Sequence, residues 1–341
     1  MTTHFEAEIR SQADVLAARA ERGARQATVA VADLAGWTHF VVAARGSSDN
    51  AALFFQYMVG AELGKVAALA TPSLYEAGAP MDLSGALVVA ISQSGRSPGI
   101  AQVAALARAQ GRPTIAVTNY DDSPLALAST HVLTLETGPE LAIASTKTFS
   151  ATWHALAQLV GALRGQPLEG IDSLPLVVGR TVDWALSADL AVSTLDAPGG
   201  MTVVGRGVGF AAAQEIALKI REVAGLRAES YAVADYLHGP IGADGEGCAL
   251  LLVLTEELSD EVASTTLQGS RDAGMVTVVL REPTRPSVGG DVEIVLPEHA
   301  PNWLTGLSQV VVGQVMALRL GERRERPIDT SPRLKKVTLS A

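Results

Sequence analysis

Residues 86–97 read Ala-Leu-Val-Val-Ala-Ile-Ser-Gln-Ser-Gly-Arg-Ser, and this stretch indicates the fold class. Its uninterrupted apolar run predicts a strand that is buried on both faces. The polar residues that follow predict a loop that opens a helix near Pro98. Because a helix N-terminus presents unpaired N–H groups and the positive end of the helix dipole, three added hydroxyls favour a phosphate-binding loop. A capped turn is the plainer alternative, although one serine would suffice for it.

The same plan recurs in the second half of the chain. Phe40-Val-Val-Ala-Ala-Arg-Gly resembles Met201-Thr-Val-Val-Gly-Arg-Gly, which lies 161 residues later. Three further strand candidates repeat at nearly the same offset, namely 86–92 with 249–255, 111–118 with 274–280, and 131–135 with 292–296. Apolar strands that alternate with helical segments are typical of parallel sheets covered on both faces. The sequence therefore predicts an α/β fold of two tandem doubly wound parallel-sheet domains, each with three αβα layers.

The domain boundaries follow from this repeat. The 341 residues suit two domains of ordinary size. Helical patterns occur at 5–22 before the first repeat, at 174–187 in the linker, and at 146–164 and 302–320 at the ends of the two halves. We predict four segments: an N-terminal helix (1–30), a first, phosphate-binding domain (31–170), a second domain that includes the linker helix (171–321), and a C-terminal tail (322–341). Composition alone predicts that the charged tail is a solvated terminus.

Composition and charge exclude several classes of protein. The net charge of −10 argues against nucleic-acid or membrane-surface binding, which requires basic patches. The polar N-terminus is not a signal peptide, and no uncharged apolar stretch is long enough for a membrane span. Because Cys248 is the single cysteine, no intrachain disulfide is possible. It lies in an apolar run and is expected to be buried. The six histidines lack the spacing of metal ligands. We expect a cytoplasmic protein without a metal or another cofactor.

Further polar residues lie where ligands bind in such sheets, beyond the carboxyl ends of the strands. Gly46, Ser47 and Ser48 follow the first strand and are expected to lie close to the Ser92 loop. The second half has Glu256 and Glu257 at the place of that loop, and two carboxylates would repel a phosphate. The first half is therefore expected to hold the phosphate.

Other motifs have plainer alternatives. Ser145 is expected to cap the last helix of the first half, and Lys147 after it could instead face a substrate. The glycines at 205–209 do not form a dinucleotide-binding fingerprint, and the next strand does not end in an acidic residue. These glycines instead favour the close approach of a sugar to the backbone.

Glu215, Lys219 and Glu222 are spaced to share one face of a helix. A surface ion pair is the plainer interpretation of this pattern, and taken alone it is favoured. A buried acid/base cluster at the strand ends, poised for proton abstraction, is the alternative. His238 precedes Gly-Pro in a loop, where a histidine is more often exposed than catalytic, yet it is the side chain best suited to proton transfer near neutral pH.

Four motifs together resemble the tandem sugar-isomerase (SIS) domain family, most closely the isomerase half of glucosamine-6-phosphate synthases. They are Ser92-Gln-Ser-Gly95, Ala144-Ser-Thr-Lys147, Glu215 through Glu222, and His238-Gly-Pro240. The resemblance covers residues 5–338 and implies two flavodoxin-like SIS domains. The glutaminase domain of those synthases, with its early cysteine, has no counterpart in this sequence. Leu237 and Asp235 replace a lysine and a glutamate of the synthase pattern, which leaves the substrate specificity open.

The resemblance also implies roles for individual residues. The sugar phosphate would be bound by the residues that match the family's binding positions, Gly46, Ser48, Ser92, Gln93, Ser94 and Ser97, with Ser97 where the family often has threonine. Ser145 would contact the sugar. Glu222 would move a proton between C1 and C2, Lys219 and Glu215 would polarise and orient the reacting end, and His238 would assist ring opening from a neighbouring subunit in a homodimer. The tail would close over the site with an imine-forming lysine, Lys335 in preference to Lys336.

The resulting functional hypothesis is a phosphosugar aldose–ketose isomerase and deaminase that converts glucosamine 6-phosphate into fructose 6-phosphate and ammonia. One alternative is an isomerase or deglycase of another phosphosugar, of the fructosamine or tagatose type, or an isomerising aminotransferase subunit. Another is a phosphosugar-sensing module. Sensors of this family usually carry a DNA-binding helix-turn-helix, which this acidic chain lacks, and its acid/base groups exceed what sensing requires.

Overall fold

The computed structural model describes residues 2–331, Arg333 and Lys336. The chain divides into two compact units. Of the described residues, the N-half unit comprises Asp14–Glu140, Lys147–Asp172 and Lys336. The C-half unit comprises residues 2–13, Leu141–Thr146, 173–331 and Arg333.

The N-half unit contains a five-stranded parallel sheet with strand order β2-β1-β3-β4-β5. Its strands are β1 (His39–Ala43), β2 (Ala67–Leu69), β3 (Ala86–Ile91), β4 (Thr114–Thr118) and β5 (His131–Thr134). The first helices of the chain are α1 (His4–Arg10), α2 (Gln12–Ala32), α3 (Ser47–Leu63), α4 (Pro72–Glu76), α5 (Pro98–Ala109), α6 (Pro124–Ala128) and α7 (Lys147–Arg164). All six residues of β3 are buried, as expected of a central strand with helices on both faces.

The C-half unit repeats this topology, with strand order β7-β6-β8-β9-β10 and parallel pairing throughout. Its strands are β6 (Gly200–Gly205), β7 (Ala228–Ala232), β8 (Cys248–Val253), β9 (Val276–Arg281) and β10 (Val292–Val295). The remaining helices are α8 (Leu174–Ala185), α9 (Val192–Leu195), α10 (Val208–Lys219), α11 (Val233–His238), α12 (Asp260–Asp272) and α13 (Asn302–Arg323), with a π-helix at Ile220–Ala224 and 3-10 turns at Ile171–Ser173 and Pro240–Ala243.

The predicted fold class is confirmed, and each sheet contains one strand more than the repeat predicted. The additional strands, β2 and β7, lie at equivalent edges of the two sheets. β2 has three residues, of which one is buried, and β7 reads Ala-Glu-Ser-Tyr-Ala. Edge strands pair on one side only and are often short or polar, so these two lack the apolar run by which the central strands are recognised.

Two further expectations, on the first helix and on Cys248, are corrected by the structure. The predicted helix at 5–22 is broken at Ser11, which ends α1, and the helical segment extends to Ala32. Cys248 is partly exposed instead of buried, because it is the first residue of β8 and lies at the margin of the core. In the part of the chain that the structure describes, no helix combines the length and hydropathy that crossing a bilayer requires.

Candidate active site

The predicted phosphate-binding loop lies between β3 and α5, at the carboxyl end of the buried strand. Ser97 occupies the N-cap position of α5, but its side chain does not cap the helix. Its hydroxyl instead accepts a hydrogen bond from Ser92 Oγ at 3.3 Å, and Ser94 Oγ accepts one from the N–H of Arg96 at 3.2 Å. Ser97 thus leaves the N–H groups of the first turn of α5 to another acceptor, as anion binding at a helix N-terminus requires.

Gly95 fixes the shape of this loop. Its φ of +63° lies in the region that favours glycine, and a Cβ at this position would lie 2.0 Å from Ser123 Oγ. The Gly95 carbonyl accepts a hydrogen bond from the N–H of Leu125 at 3.0 Å, and the Gln93 carbonyl accepts one from the N–H of Asn119 at 3.0 Å. The loop is therefore held by the segment that follows β4.

A second polar turn lies beside this loop, because β1 and β3 are neighbours in the parallel sheet. Gly46, with φ of +62°, precedes α3, and Ser47 and Ser48 are its first two residues. Strands β1 and β3 flank the point at which the strand order reverses, where doubly wound sheets bind their ligands. Arg45 lies in the same turn and forms an ion pair with Glu76 at 3.0 Å. The structure brings the two predicted phosphate-binding turns together.

The equivalent turn of the C-half unit already holds a carboxylate. Gly207, with φ of +58°, precedes α10, and the N–H of Val208 donates to Glu257 Oε1 at 3.1 Å. A Cβ on Gly207 would lie 2.6 Å from that carboxyl group. A carboxylate at a helix N-terminus is stabilised by the helix dipole, as a phosphate would be. The chain's own Glu257 therefore takes the position that a phosphate would need in this unit.

Glu215, Lys219 and Glu222 form one cluster at the end of α10. Lys219 Nζ lies 3.4 Å from Glu215 Oε1 and donates a hydrogen bond to Glu222 Oε2. The side chains of Lys219 and Glu215 are 1% and 0% exposed, whereas that of Glu222 is 24% exposed. The plainer interpretation, a surface ion pair, is wrong. Glu222 is the member of the cluster that a molecule in solvent can reach.

A change of helix type places Glu222 beside Lys219. The α-helical pattern ends at Lys219, and the chain continues as the π-helix Ile220–Ala224. π-Turns are rare and occur frequently at functional sites. The cluster does not lie at the carboxyl ends of the strands, as expected from the sequence, but toward the amino end of β7. The reason is that the 12 residues of α10 run back along the sheet, over about 18 Å.

Ser145 and His238 lie apart from these two clusters in the chain. Ser145 is half-buried and belongs to Leu141–Thr146, which groups with the C-half unit, and the helix after it begins at Lys147. His238 is the last residue of α11 and is exposed, as are Asp235 and Leu237. The roles of Ser145 and His238 stay predictions.

The tail presents one lysine to a buried carboxylate. Lys336 Nζ lies 3.0 Å from Glu140 Oε2, and the Glu140 side chain is 0% exposed. Glu140 also accepts a hydrogen bond from the N–H of Thr148 at 3.1 Å, in the first turn of α7. Lys335, which the resemblance favours as the imine-forming lysine, lies outside the described residues. Lys336 has a structural partner and is therefore the weaker candidate for that role.

A metal site was not expected from the sequence. Within residues 2–331, 333 and 336, no group of three or more His, Cys, Asp or Glu side chains is arranged to hold a metal ion.

Comparisons with known proteins identify the family. Residues 33–162 match the SIS domain model. The glutamine–fructose-6-phosphate aminotransferase (isomerizing) of Halobacterium salinarum is 28% identical over 307 residues, which are 86% of this chain and 51% of that protein. A solved structure from Silicibacter pomeroyi, designated a phosphosugar isomerase on a provisional basis, has a TM-score of 0.83 and 26% identity, with 96% of this chain and 99% of that chain covered.

The chain belongs to the SIS domain family. It is homologous to the isomerase part of glutamine–fructose-6-phosphate aminotransferases over most of its length. The chain spans about half the length of these curated relatives, 44% and 51% in two cases. The glucosamine-6-phosphate deaminase of Thermotoga maritima has the same fold, with a TM-score of 0.80 at 20% identity over 99% of this chain and 100% of that chain.

The positions of two carboxylates, Glu257 and Glu140, are not predictable from the sequence. The sequence indicates only that Glu257 would repel a phosphate, and the structure adds that its carboxylate accepts a hydrogen bond from the N–H of Val208, the first residue of α10. Glu140 was not singled out, because its partner Lys336 is 196 residues away in the sequence and no local pattern joins them. The one sequence feature that points to Glu140 is its position shortly before a predicted helix N-terminus, where a carboxylate is stabilised by the helix dipole.

Proposed function

We propose that this SIS protein converts glucosamine 6-phosphate and water into fructose 6-phosphate and ammonia, as a homodimer in the cytoplasm. The observation that carries the proposal is the cluster of Glu215, Lys219 and Glu222. A buried lysine between two carboxylates is costly to maintain for stability alone, because the desolvation of the charges offsets their attraction. Such clusters are characteristic of catalytic sites.

In the proposed reaction the phosphate is bound by the loop that contains Ser92 and Ser94 and by the turn that contains Ser48. These contacts are remote from the reacting carbons and supply binding energy for positioning. His238 assists opening of the sugar ring, Ser145 contacts the sugar, and Lys335 is the imine-forming lysine of the tail.

The central step is a proton transfer between two neighbouring carbons. The Glu222 carboxylate takes the proton from C2 of the open-chain 2-amino aldehyde and returns it to C1, while the amino group loses a proton and the aldehyde oxygen gains one. The product has an imine at C2, and water adds to that carbon as ammonia leaves. The Lys219 ammonium compensates the negative charge near Glu222, and Glu215 holds Lys219 in place. General acid–base catalysis of this kind contributes about 10²–10⁴-fold in rate.

Two similarities support this substrate. The first curated relatives are aminotransferases whose name contains fructose 6-phosphate, the product of the proposed reaction. The structure from Thermotoga maritima with the same fold is a glucosamine-6-phosphate deaminase. Both names contain a hexose 6-phosphate, which supports the choice of an amino-sugar phosphate as the substrate.

The direct experiment is to measure ammonia release by the purified protein, with glucosamine 6-phosphate as the only substrate and no glutamine present. The proposal predicts one equivalent of ammonia for each fructose 6-phosphate formed. Fructose 6-phosphate without ammonia is chemically impossible from this substrate, so the two assays check each other. No ammonia and no fructose 6-phosphate, from a protein that binds the sugar phosphate, would contradict the proposal.

A second candidate is an aldose–ketose isomerase that acts on a phosphosugar without an amino group. It is favoured by the 26% identity to the Silicibacter pomeroyi protein designated a phosphosugar isomerase. The chemistry at Glu222 is the same, because the proton again moves between C1 and C2. Solvent-deuterium incorporation into a phosphosugar without an amino group, such as fructose 6-phosphate, together with the absence of ammonia release from glucosamine 6-phosphate, would identify this reaction.

A further inference from the structure

An ion pair lies beside the two hydroxyl-rich turns of the N-half unit. Arg45 is the residue before Gly46 in the turn after β1, and Glu76 is the last residue of α4, which follows the edge strand β2. The Nη2 of Arg45 donates a hydrogen bond to Oε1 of Glu76 at 3.0 Å. The two side chains are 43% and 26% exposed, so a molecule in solvent can reach both of them.

The carboxylate of Glu76 lies against the first turn of α5. A Cβ on Gly99, the second residue of α5, would lie 2.3 Å from Oε1 of Glu76 and 2.8 Å from its Cδ. Gly99 directly follows Ser97 and Pro98, where the phosphate-binding loop becomes the helix. The missing side chain at Gly99 thus admits the carboxylate to this position. Through Glu76, the guanidinium of Arg45 is held at the N-terminal turn of the helix to which the phosphate is assigned.

Glu76 competes with a phosphate at this turn in two ways. The positive end of the α5 dipole attracts either anion, so the carboxylate and the phosphate are stabilised by the same field. The two anions would also repel each other at neighbouring positions. A phosphate monoester carries a charge of about −1.5 to −2 at neutral pH, whereas a carboxylate carries only −1. The guanidinium of Arg45 is therefore attracted more strongly to a phosphate than to Glu76.

A second arginine, Arg96, belongs to the phosphate-binding loop itself, but the contacts favour Arg45 as the cation of the site. The backbone N–H of Arg96 donates to Ser94 Oγ, and the residue is exposed. A long exposed side chain loses conformational entropy when a ligand orders it. The side chain of Arg45 is already ordered by its pair with Glu76, at the turn where the phosphate is expected. Less entropy is therefore lost when Arg45 binds a phosphate than when Arg96 does.

We propose that Arg45 binds the phosphate of the substrate and that Glu76 is its partner only while the site is empty. When the sugar phosphate binds, the Arg45 guanidinium exchanges the Glu76 carboxylate for phosphate oxygens, and the Glu76 side chain moves away from α5. The planar guanidinium suits this exchange, because it can donate two parallel hydrogen bonds to a phosphate. This role of Arg45 rests on the proposed function, since it requires that the Ser92 loop holds the phosphate.

Calorimetric titration of the purified full-length chain with glucitol 6-phosphate tests the exchange, because this compound carries the phosphate but has no carbonyl group to react. Arg45→Met removes the charged donor and is expected to weaken binding by about tenfold or more. Glu76→Gln keeps the size of the side chain and an acceptor for Arg45 but removes the competing charge, so it is expected to strengthen binding by about threefold. A pair with a structural role alone would not give effects of opposite sign.

A second ion pair of the same unit provides matched controls. Arg164, the last residue of α7, pairs with Glu62 in the last turn of α3, and the two side chains are 31% and 30% exposed. Glu62 lies at the opposite end of α3 from the turn that contains Gly46. Arg164→Met and Glu62→Gln change the net charge as the test variants do and are expected to leave the affinity for glucitol 6-phosphate unchanged. Effects as large as those of the test variants would show that net charge alone sets the affinity and would overturn the proposal.

Different outcomes overturn this role of Arg45 and the phosphate site on which it rests. No binding of glucitol 6-phosphate by the unmodified protein, or equal binding of glucitol, would overturn the phosphate site and the role of Arg45 with it. If glucitol 6-phosphate binds but its affinity is unchanged in Arg45→Met, or is not raised in Glu76→Gln, the exchange alone is overturned. Ammonia release from glucosamine 6-phosphate would then still support the proposed reaction, because it is measured independently.

Discussion

The ammonium nitrogen of Lys219 lies 3.4 Å from Oε1 of Glu215, and both side chains are withdrawn from solvent. Lys219 reaches a second carboxylate, that of Glu222, which is partly open to solvent. A buried lysine is thus compensated from two sides, and the outer carboxylate is the one available for proton transfer. This arrangement links the stability of the C-half unit to its proposed chemistry.

The first prediction concerns Lys219. Lys219→Met leaves the Glu215 carboxylate buried without its cation, and removal of one partner of a buried pair typically costs about 3–5 kcal/mol of the free energy of unfolding. Urea unfolding measures this change. Arg10→Met, which removes an exposed helix ion pair with Glu6, is the control and is expected to change the free energy by less than about 0.5 kcal/mol. Similar effects of the two substitutions would contradict the buried pairing.

The second prediction concerns the shape of the Ser92 loop. In Gly95→Ala the added Cβ is strained by the positive φ and also clashes with Ser123 Oγ. In Gly111→Ala the φ is also positive, at +67°, but no atom lies within 4 Å of the added Cβ. Each substitution costs about 1–2 kcal/mol of stability for the backbone conformation. Only Gly95→Ala is expected to weaken binding of the sugar phosphate, which calorimetric titration measures. Equal affinities of the two variants would argue against this loop as the phosphate site.

The third prediction concerns Glu257. Glu257→Ala removes the acceptor for the N–H of Val208 and is expected to lower the free energy of unfolding by about 1 kcal/mol, as the loss of a helix cap does. The affinity for the sugar phosphate is expected to remain unchanged, because the phosphate is assigned to the other unit. A large loss of sugar-phosphate affinity in this variant would reverse that assignment.

The fourth prediction concerns the pH dependence of stability. The pKa of His154 is lowered to about 2 in the folded protein by burial and by Arg19, and a free histidine titrates near 6.5. Below about pH 6.5 the unfolded chain therefore binds a proton that the folded chain does not. The free energy of unfolding is unaffected by His154 above that pH and decreases as the pH falls below it. Each pH unit below that value removes about 1.4 kcal/mol. His154→Gln is expected to flatten the slope of Tm between pH 6.5 and 5, and an unchanged slope would contradict the buried neutral state.

The central strands and the positions of the two hydroxyl-rich turns follow from local sequence patterns, whereas the strand order does not. Apolar runs such as 86–91 indicate strands that are buried on both faces. The internal sequence repeat indicates that the two halves of the chain share one topology. The edge strand β7 and the position of Glu222 were not predictable in the same way. The first is stabilised by pairing with β6, and the second depends on a π-turn that no residue type signals.

Long-range partners are the other limit of sequence reasoning. The spacing of Glu215 and Lys219 indicates that the two share a helix face, but not whether that face is buried. No pattern in the sequence singles out Arg19 and His154, and only the packing of α2 and α7 shows that both are buried and that their side-chain nitrogens have no hydrogen-bond partner among the described residues. The sequence thus predicts which strands, turns and helix faces carry the polar groups of the site. Tertiary packing determines whether each group is buried and which charges surround it.

The most direct test of the proposed chemistry is the turnover of Glu222→Gln with glucosamine 6-phosphate. Glutamine keeps an acceptor for Lys219 but cannot take the C2 proton. We expect kcat to fall by about 10²–10⁴-fold, with little change in KM. Glu261→Gln, which alters an exposed carboxylate of α12, is expected to keep full activity. Wild-type turnover by Glu222→Gln would contradict the account.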